Sequence, residues 1–225
     1  MIKKKTVIWI SLIISFIMMI ISIFSYFEII RYYKVRYSSV ESYINSYSNL
    51  SKASNNRVVL SFSITDDLDK YKGFLNSILD QTVKVDSIDI NISEKYRSMN
   101  LVNPKYRKIV TLNYISADYG KFNGLLPTLE RETDKDTIII WVKPEYIYPS
   151  DMIQNMIEHM NKDDKMYTIK KNNRIVAIAV KPDEILSTCF YSSTNDNPEK
   201  IKSQNLSDIS KSITNNISCS NLYNL

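Results

Sequence analysis

The sequence predicts an α/β fold, a mostly parallel sheet flanked by helices, preceded by one membrane-spanning helix. Two observations carry that expectation. From residue 57 to about 180, short β-forming runs alternate with helix-period segments, the pattern of strands joined by crossover helices. Ahead of them, residues 7–27 form an uncharged run rich in Ile, Leu, Phe and Met, led by Lys3, Lys4 and Lys5. At 1.5 Å per residue such a run crosses a hydrocarbon core of roughly 30 Å.

Taken in order, residues 1–27 are expected to be a cytosolic tip and an uncleaved signal-anchor, because no small-x-small cleavage site follows the apolar run. The positive-inside balance is close: three lysines precede the span, and Arg31, Lys34 and Arg36 follow it beside Glu28. The tight lysine cluster tips the expectation towards a cytosolic N-terminus and a lumenal or extracellular domain. Residues 28–55 are expected to form a stem. Ile30, Tyr33, Tyr37, Val40, Ile44 and Tyr47 follow heptad spacing. They predict either a helix that pairs with a second copy to give a homodimer, or a solitary helix extending the anchor.

Residues 56–188 are expected to be the α/β domain. Residues 57–64 read as a compact apolar strand, and 68–79 as a helix with Leu68, Tyr71, Leu75, Ile78 and Leu79 on one face. Residues 87–92 alternate apolar and polar, as a strand with one solvated face does. A strand over 108–115 and a helix over 121–132 follow, with Pro127 bending the helix or delaying its start. Then come a strand over 137–142, a helix over 149–160 entered through Pro149 and Ser150, and two strands around a turn over 165–180. Residues 189–225 are polar, rich in Ser and Asn, and expected to be disordered.

Charge and composition remove several function classes. Residues 1–52 hold seven Lys/Arg and two Asp/Glu, 7 − 2 = +5, while residues 53–190 hold nineteen of each sign. The whole excess therefore sits around the anchor, and nucleic-acid binding has no support. Three glycines, Gly73, Gly120 and Gly124, do not suffice for a Walker loop, a dinucleotide fingerprint or a nucleophile elbow. His159 is the only histidine, which disfavours a zinc site and any Cys/His or Ser/His nucleophile pair. Cys189 and Cys219 pair in an oxidising compartment or remain free thiols. Asn-x-Ser sequons at Asn49, Asn91, Asn205 and Asn216 suit a lumenal glycoprotein, although a chain this rich in Asn and Ser produces about that many by chance.

One arrangement survives. Open α/β sheets bind ligands outside the carboxyl ends of their strands. The polar residues there are Thr65, Asp66 and Asp67, then Asn91 and Glu94, then Asp118, and finally Lys143, Pro144 and Glu145.

Four phrases in order give this region a resemblance. "VVLSFSIT", "LNSILDQT", "DYGKFNGLLPTL" and "DTIIIWVKPEYIYPSDMI" together resemble the nucleotide-sugar-dependent glycosyltransferases of the GT-A fold, in a family-2-like form, over residues 57–162. That resemblance implies a GT-A-like sheet. It also implies an acidic triplet after the central strand, where Mg²⁺ or Mn²⁺ bridges the donor diphosphate and stabilises its departing charge. Here Lys143, Pro144 and Glu145 stand in the triplet's place and only Glu145 is an acid. Lys121 replaces the proline of a Gly-Pro pair, and the motif's lysine falls at Gly124. The acceptor half expected after residue 180 gives way to the polar tail.

The resemblance thus implies nucleotide-sugar contacts, if retained, at Thr65, Asp66, Asp118, Lys121, Lys143 and Glu145, and it identifies no catalytic residue. No cofactor is expected, with Mn²⁺ or Mg²⁺ entering only if Glu145 suffices to hold it. The expected function is a membrane-anchored, catalytically impaired glycosyltransferase-like protein. Two other readings fit the same residues: an active metal-independent transferase in which Lys143 replaces the metal, and a membrane interaction protein with an unrelated α/β domain.

Overall fold

A computed structural model describes residues 4–26, 28–116, 119–162, 166–172 and 174–182. The expected tail, with Cys189, Cys219, Asn205 and Asn216, lies outside the described residues.

The first helix, α1 (Lys4–Tyr26), contains the segment Val7–Tyr26, whose mean hydropathy is 2.8 and none of which is buried. It is long and apolar enough to cross a membrane. After α2 (Ile29–Tyr37) and α3 (Glu41–Ser48), the chain builds β1 (Val58–Ser63), α4 (Lys72–Leu79), β2 (Ser87–Ser93) and β3 (Thr111–Ile115). It then adds α5 (Leu126–Arg131), β4 (Ile138–Val142), α6 (Met152–Met160), β5 (Met166–Lys171) and β6 (Arg174–Val180). The sheet order is β3-β2-β1-β4-β6-β5. Strands β1 to β4 are parallel; β6 runs antiparallel to β4 and β5 antiparallel to β6. The expected mostly parallel α/β sheet is present.

Several boundaries move for local reasons. The third strand starts at Thr111 because Pro104–Lys108 forms a 3-10 turn, begun by the Asn103 side chain accepting from the Lys105 N–H at 3.2 Å. Pro127 delays its helix: Gly120–Phe122 is a separate 3-10 turn and α5 begins at Leu126. A proline is tolerated only in a helix's first turn, where its missing N–H has no intrahelical partner to lose. Likewise α6 begins at Met152, beyond Pro149 and Ser150.

The stem segment does not stand apart from the domain. Its helix breaks at residues 38–40, and the heptad stripe divides there. Ile30, Tyr33 and Tyr37 are exposed, whereas Val40 and Tyr47 are buried together with Val35 and Tyr43 in the main core. The Asn76 side-chain amide, buried on α4, donates to the carbonyls of Val35 (2.8 Å) and Ser38 (3.0 Å). These carbonyls lie at the end of α2, where helical acceptors lack partners. Lys52 pairs with Lys84 as a one-residue parallel bridge, and its ammonium meets Asp86 at 2.8 Å. Residues 28–52 are therefore a helical layer of the same core.

Tyr47 gives that layer a measurable signature. The Val85 N–H donates to its hydroxyl at 3.0 Å, and burial pushes the hydroxyl from 10.0 up to about 12. Between about pH 10 and 12 the folded chain keeps a proton that the unfolded chain has released. Stability then falls by about 1.4 kcal/mol per pH unit for this one group. Alkaline denaturation monitored by circular dichroism is expected to show a shallower decline over that window in Tyr47→Phe. The variant is also expected to lose about 1–3 kcal/mol at neutral pH, because the Val85 N–H is orphaned.

The second strand departs from its expected half-solvated character. Asp89 and Asn91, the polar residues of its alternation, are buried beneath α5. Arg131 donates to the Asp89 carboxylate at 2.8 Å and to the Asn91 side-chain oxygen Oδ1 at 3.1 Å. The Asn91 amide nitrogen donates to Ser61 (3.1 Å), Thr128 (3.0 Å) and the Gly124 carbonyl (3.2 Å). This closed network removes the desolvation penalty of an unpaired polar group. It also corrects the sequon at Asn91: a fully buried amide engaged with three acceptors has no room for a glycan. Asn49, exposed at the end of α3, remains accessible.

Candidate functional site

The sheet reverses its winding between β1 and β4, so the crevice of this fold lies outside their carboxyl ends. What packs beside it follows from strand alternation. Ile138, Ile140 and Val142 point into the main core, and Ile139 and Trp141 point to the other face. There they pack with Phe122, Leu125 and Leu126 from the segment that precedes β4, and with Ile175, Ile178 and Val180 of β6. Trp141 is only 4% exposed although it is the penultimate residue of its strand.

Gly124 makes that placement of Trp141 feasible. A Cβ added there would lie 2.6 Å from the indole nitrogen, 2.8 Å from its neighbouring ring carbon and 3.0 Å from the Ser63 amide nitrogen. The turn therefore closes directly over the tryptophan beside the end of β1. Gly120, at φ 58, supplies the left-handed residue that opens this turn, and the Asn123 side chain accepts from the Tyr119 N–H at 2.6 Å. Above the indole, the Lys143 ammonium sits 5.7 Å from the ring centroid, within reach of a cation–π contact.

The loop after β4 is held from beneath. The Tyr148 hydroxyl accepts from the Lys143 N–H at 3.0 Å and donates to the Val176 carbonyl at 2.7 Å. Burial pushes that hydroxyl far above its ordinary range. Pro144 is buried, Glu145 is exposed and Lys143 is half-buried. The backbone that carries the triplet positions is thus rigidly placed.

Thr65, Asp66 and Glu145 gather around Tyr71. The Tyr71 hydroxyl is pushed up by burial first and then by the charges of Asp66 and Glu145, while Lys70 and a hydrogen bond with Thr65 oppose this. Asp66 is paired with Lys70 at 2.7 Å. Lys143 leans over the other face of the sheet, on Trp141. Asp118 lies outside the described residues, as does the side chain of Lys121, whose backbone belongs to the 3-10 turn Gly120–Phe122. Asn91 belongs to the buried network. Glu94 pairs with Arg97 at 2.5 Å, and Asp67 accepts from the Asp69 N–H at 2.9 Å as the cap of a 3-10 turn.

A divalent cation fits this arrangement poorly. Among the described residues, no three His, Cys, Asp or Glu side chains gather in a cluster of metal-binding size. Glu145 is an exposed single acid, Asp66 already holds an ammonium, and the cation of Lys143 two residues away opposes a second positive charge.

Sequence reasoning missed Gly124 and Tyr71 as shapers of this region, whereas Trp141, like Pro144, is a residue the sequence already offers as a filler of the cleft. One signal was present: in a chain with three glycines, a glycine just ahead of a helix suits a close approach of backbone to a neighbouring group. The comparisons add no relative, since no protein-family model matches the sequence and no curated protein matches it significantly.

Proposed function

We propose that this chain is a single-pass, membrane-anchored glycosyltransferase-like domain that has lost donor-metal chemistry and turnover. One observation carries the reading. The carboxyl end of β4, beside the β1–β4 switch point, is occupied by Trp141, buried under Gly124, with the Lys143 ammonium over the indole. A donor diphosphate and its metal would need that space and an acidic rim, and the rim here is Lys143, Pro144 and an exposed Glu145. The sheet order and the placement of the triplet positions after β4 support the GT-A-like relationship. The apolar length of α1 and the lysines ahead of it support the anchor, with the N-terminus cytosolic and the domain outside. A scaffold that outlives its site serves by binding rather than by chemistry.

The second reading, a metal-independent transferase, is favoured by Lys143 itself. Its ammonium stands at the carboxyl end of β4, where a diphosphate charge would need neutralising.

Thermal unfolding of the full chain in detergent micelles separates the two. Nucleoside diphosphates and their sugar conjugates, with and without Mn²⁺, are expected to leave the melting temperature unchanged. A ligand at 100 times its Kd would add about 2.7 kcal/mol, a readily visible shift. Stabilisation independent of Mn²⁺ and abolished in Lys143→Ala would establish the metal-independent transferase instead. Stabilisation that requires Mn²⁺ would overturn the claim that the metal site is lost.

A further inference from the structure

We infer that the outward face of α2 is seated in the headgroup layer of the bilayer that α1 spans, so that the domain docks flat on the membrane. The inference rests on the reading of α1 as a span and goes beyond it by naming the protein surface that touches lipid.

Geometry limits where α2 can lie. The first helix ends at Tyr26 and the second begins at Ile29, so two residues connect them. The three Cα steps from Tyr26 to Ile29 reach about 10 Å at most. The second connecting residue, Glu28, adopts φ 53, the left-handed conformation that ends a helix. Thus α2 starts close to where α1 ends, at the membrane surface, with a left-handed residue breaking the helix between them.

One side of α2 is already committed. Val35 is fully buried against the domain. Arg31 meets Asp80 at 2.8 Å and donates to the Tyr148 carbonyl at 2.9 Å. Ile30, Tyr33 and Tyr37, spaced three and four residues apart, form the opposite side and are 54%, 56% and 68% exposed. The Tyr33 and Tyr37 rings stack with centroids 6.1 Å apart. At 3.6 residues per turn, Lys34 and Arg36 fall on the two flanks of this stripe, and α2 contains no acidic residue.

An apolar stripe of tyrosines bordered by cations suits one phase in particular. Tyrosine is enriched at membrane interfaces, where its ring meets acyl chains and its hydroxyl meets water. Lysine and arginine beside it reach the phosphate that every phospholipid headgroup carries, while their alkyl stems lie along the apolar stripe. A second copy of the chain is the weaker occupant. Val40 and Tyr47, which would extend the stripe into a coiled coil, are buried in this chain's own core. The nine residues of α2 span little more than one heptad.

The test uses the full chain with Cys189 and Cys219 replaced by serine and single cysteines at Ile14, Tyr33, Tyr37 or Thr133. Each carries an environment-sensitive fluorophore, in vesicles of phosphatidylcholine and phosphatidylserine with a nitroxide on the lipid headgroup. Position 14 reports the span, and exposed Thr133, after α5 on the other side of the sheet, is the aqueous control. Blue-shifted emission at 33 and 37, quenched by the headgroup nitroxide and diminished in Lys34→Glu/Arg36→Glu, is the expected result. Emission at 33 and 37 as red and unquenched as at 133, with 14 in hydrocarbon, would overturn the docking and leave the span intact. Self-quenching at 33 that grows with protein density, without headgroup quenching, would assign the face to a second copy. An aqueous signal at 14 would remove both readings.

Discussion

A chain that begins at Ala53 is expected to fail to fold cooperatively, although the whole sheet lies downstream of that residue. Truncation there removes Val35, Val40, Tyr43 and Tyr47 from the main core. Burial of side chains of this size is worth about 1.5–3 kcal/mol each, so four remove about 6–12 kcal/mol. The entire stability of a domain is about 5–15 kcal/mol. The cut also strips the partners from Asn76, whose amide would face an emptied apolar groove, and from the Val85 N–H. A chain beginning at Glu28 retains all of these contacts. Urea titrations of the two followed by circular dichroism are the check: a sigmoidal transition in the longer chain and a broad, sloping one in the shorter. Equal midpoints would show that residues 28–52 are an appendage.

Gly124→Val is expected to destabilise the chain by about 3 kcal/mol, towards the upper end for overpacking a core position. Its first added carbon already meets the indole at 2.6 Å and the Ser63 amide at 3.0 Å. Neither the strand backbone nor a ring held between Phe122, Leu125 and the sheet has somewhere to go. Trp141→Ala is expected to cost about 3–5 kcal/mol by leaving a cavity. The combination discriminates close packing from coincidence. If the valine occupies the space the indole vacates, the double variant loses less than the sum of the single losses, by 1 kcal/mol or more in a double-mutant cycle from urea midpoints. Strict additivity would mean that the glycine is required by something other than the tryptophan, and the end of β4 would not be packed in the manner described.

The end of β4 and the packing over it differ in how visible they are from the chain. The strand at 138–142 announces itself as an unbroken β-branched run, and Lys143-Pro144 marks its end because proline stops a ladder. The end of that strand was therefore legible along the chain. How closely the chain packs over Trp141 was not, since that depends on Gly124, seventeen positions earlier. Nothing local to either residue encodes the other.

Local order along the chain determined the long apolar N-terminal helix, the alternation of strands and helices, and the arguments against glycine-loop, zinc and nucleophile-pair chemistries. These depend on periods of two and 3.6 residues, on run length and on residue counts, all of which are properties of neighbours in sequence. Tertiary structure alone decided the rest. Asp89 and Asn91 alternate as a solvated face would, yet α5 covers them, because Arg131 and Thr128 arrive from some forty positions away to satisfy them. The heptad stripe of residues 30–47 reads as one helix with one seam. It breaks into two, because Asn76 captures the Val35 and Ser38 carbonyls and the core takes Val40 and Tyr47. A buried polar group or a docked helix is stable only with partners brought in by the fold, and no local pattern records who those partners are.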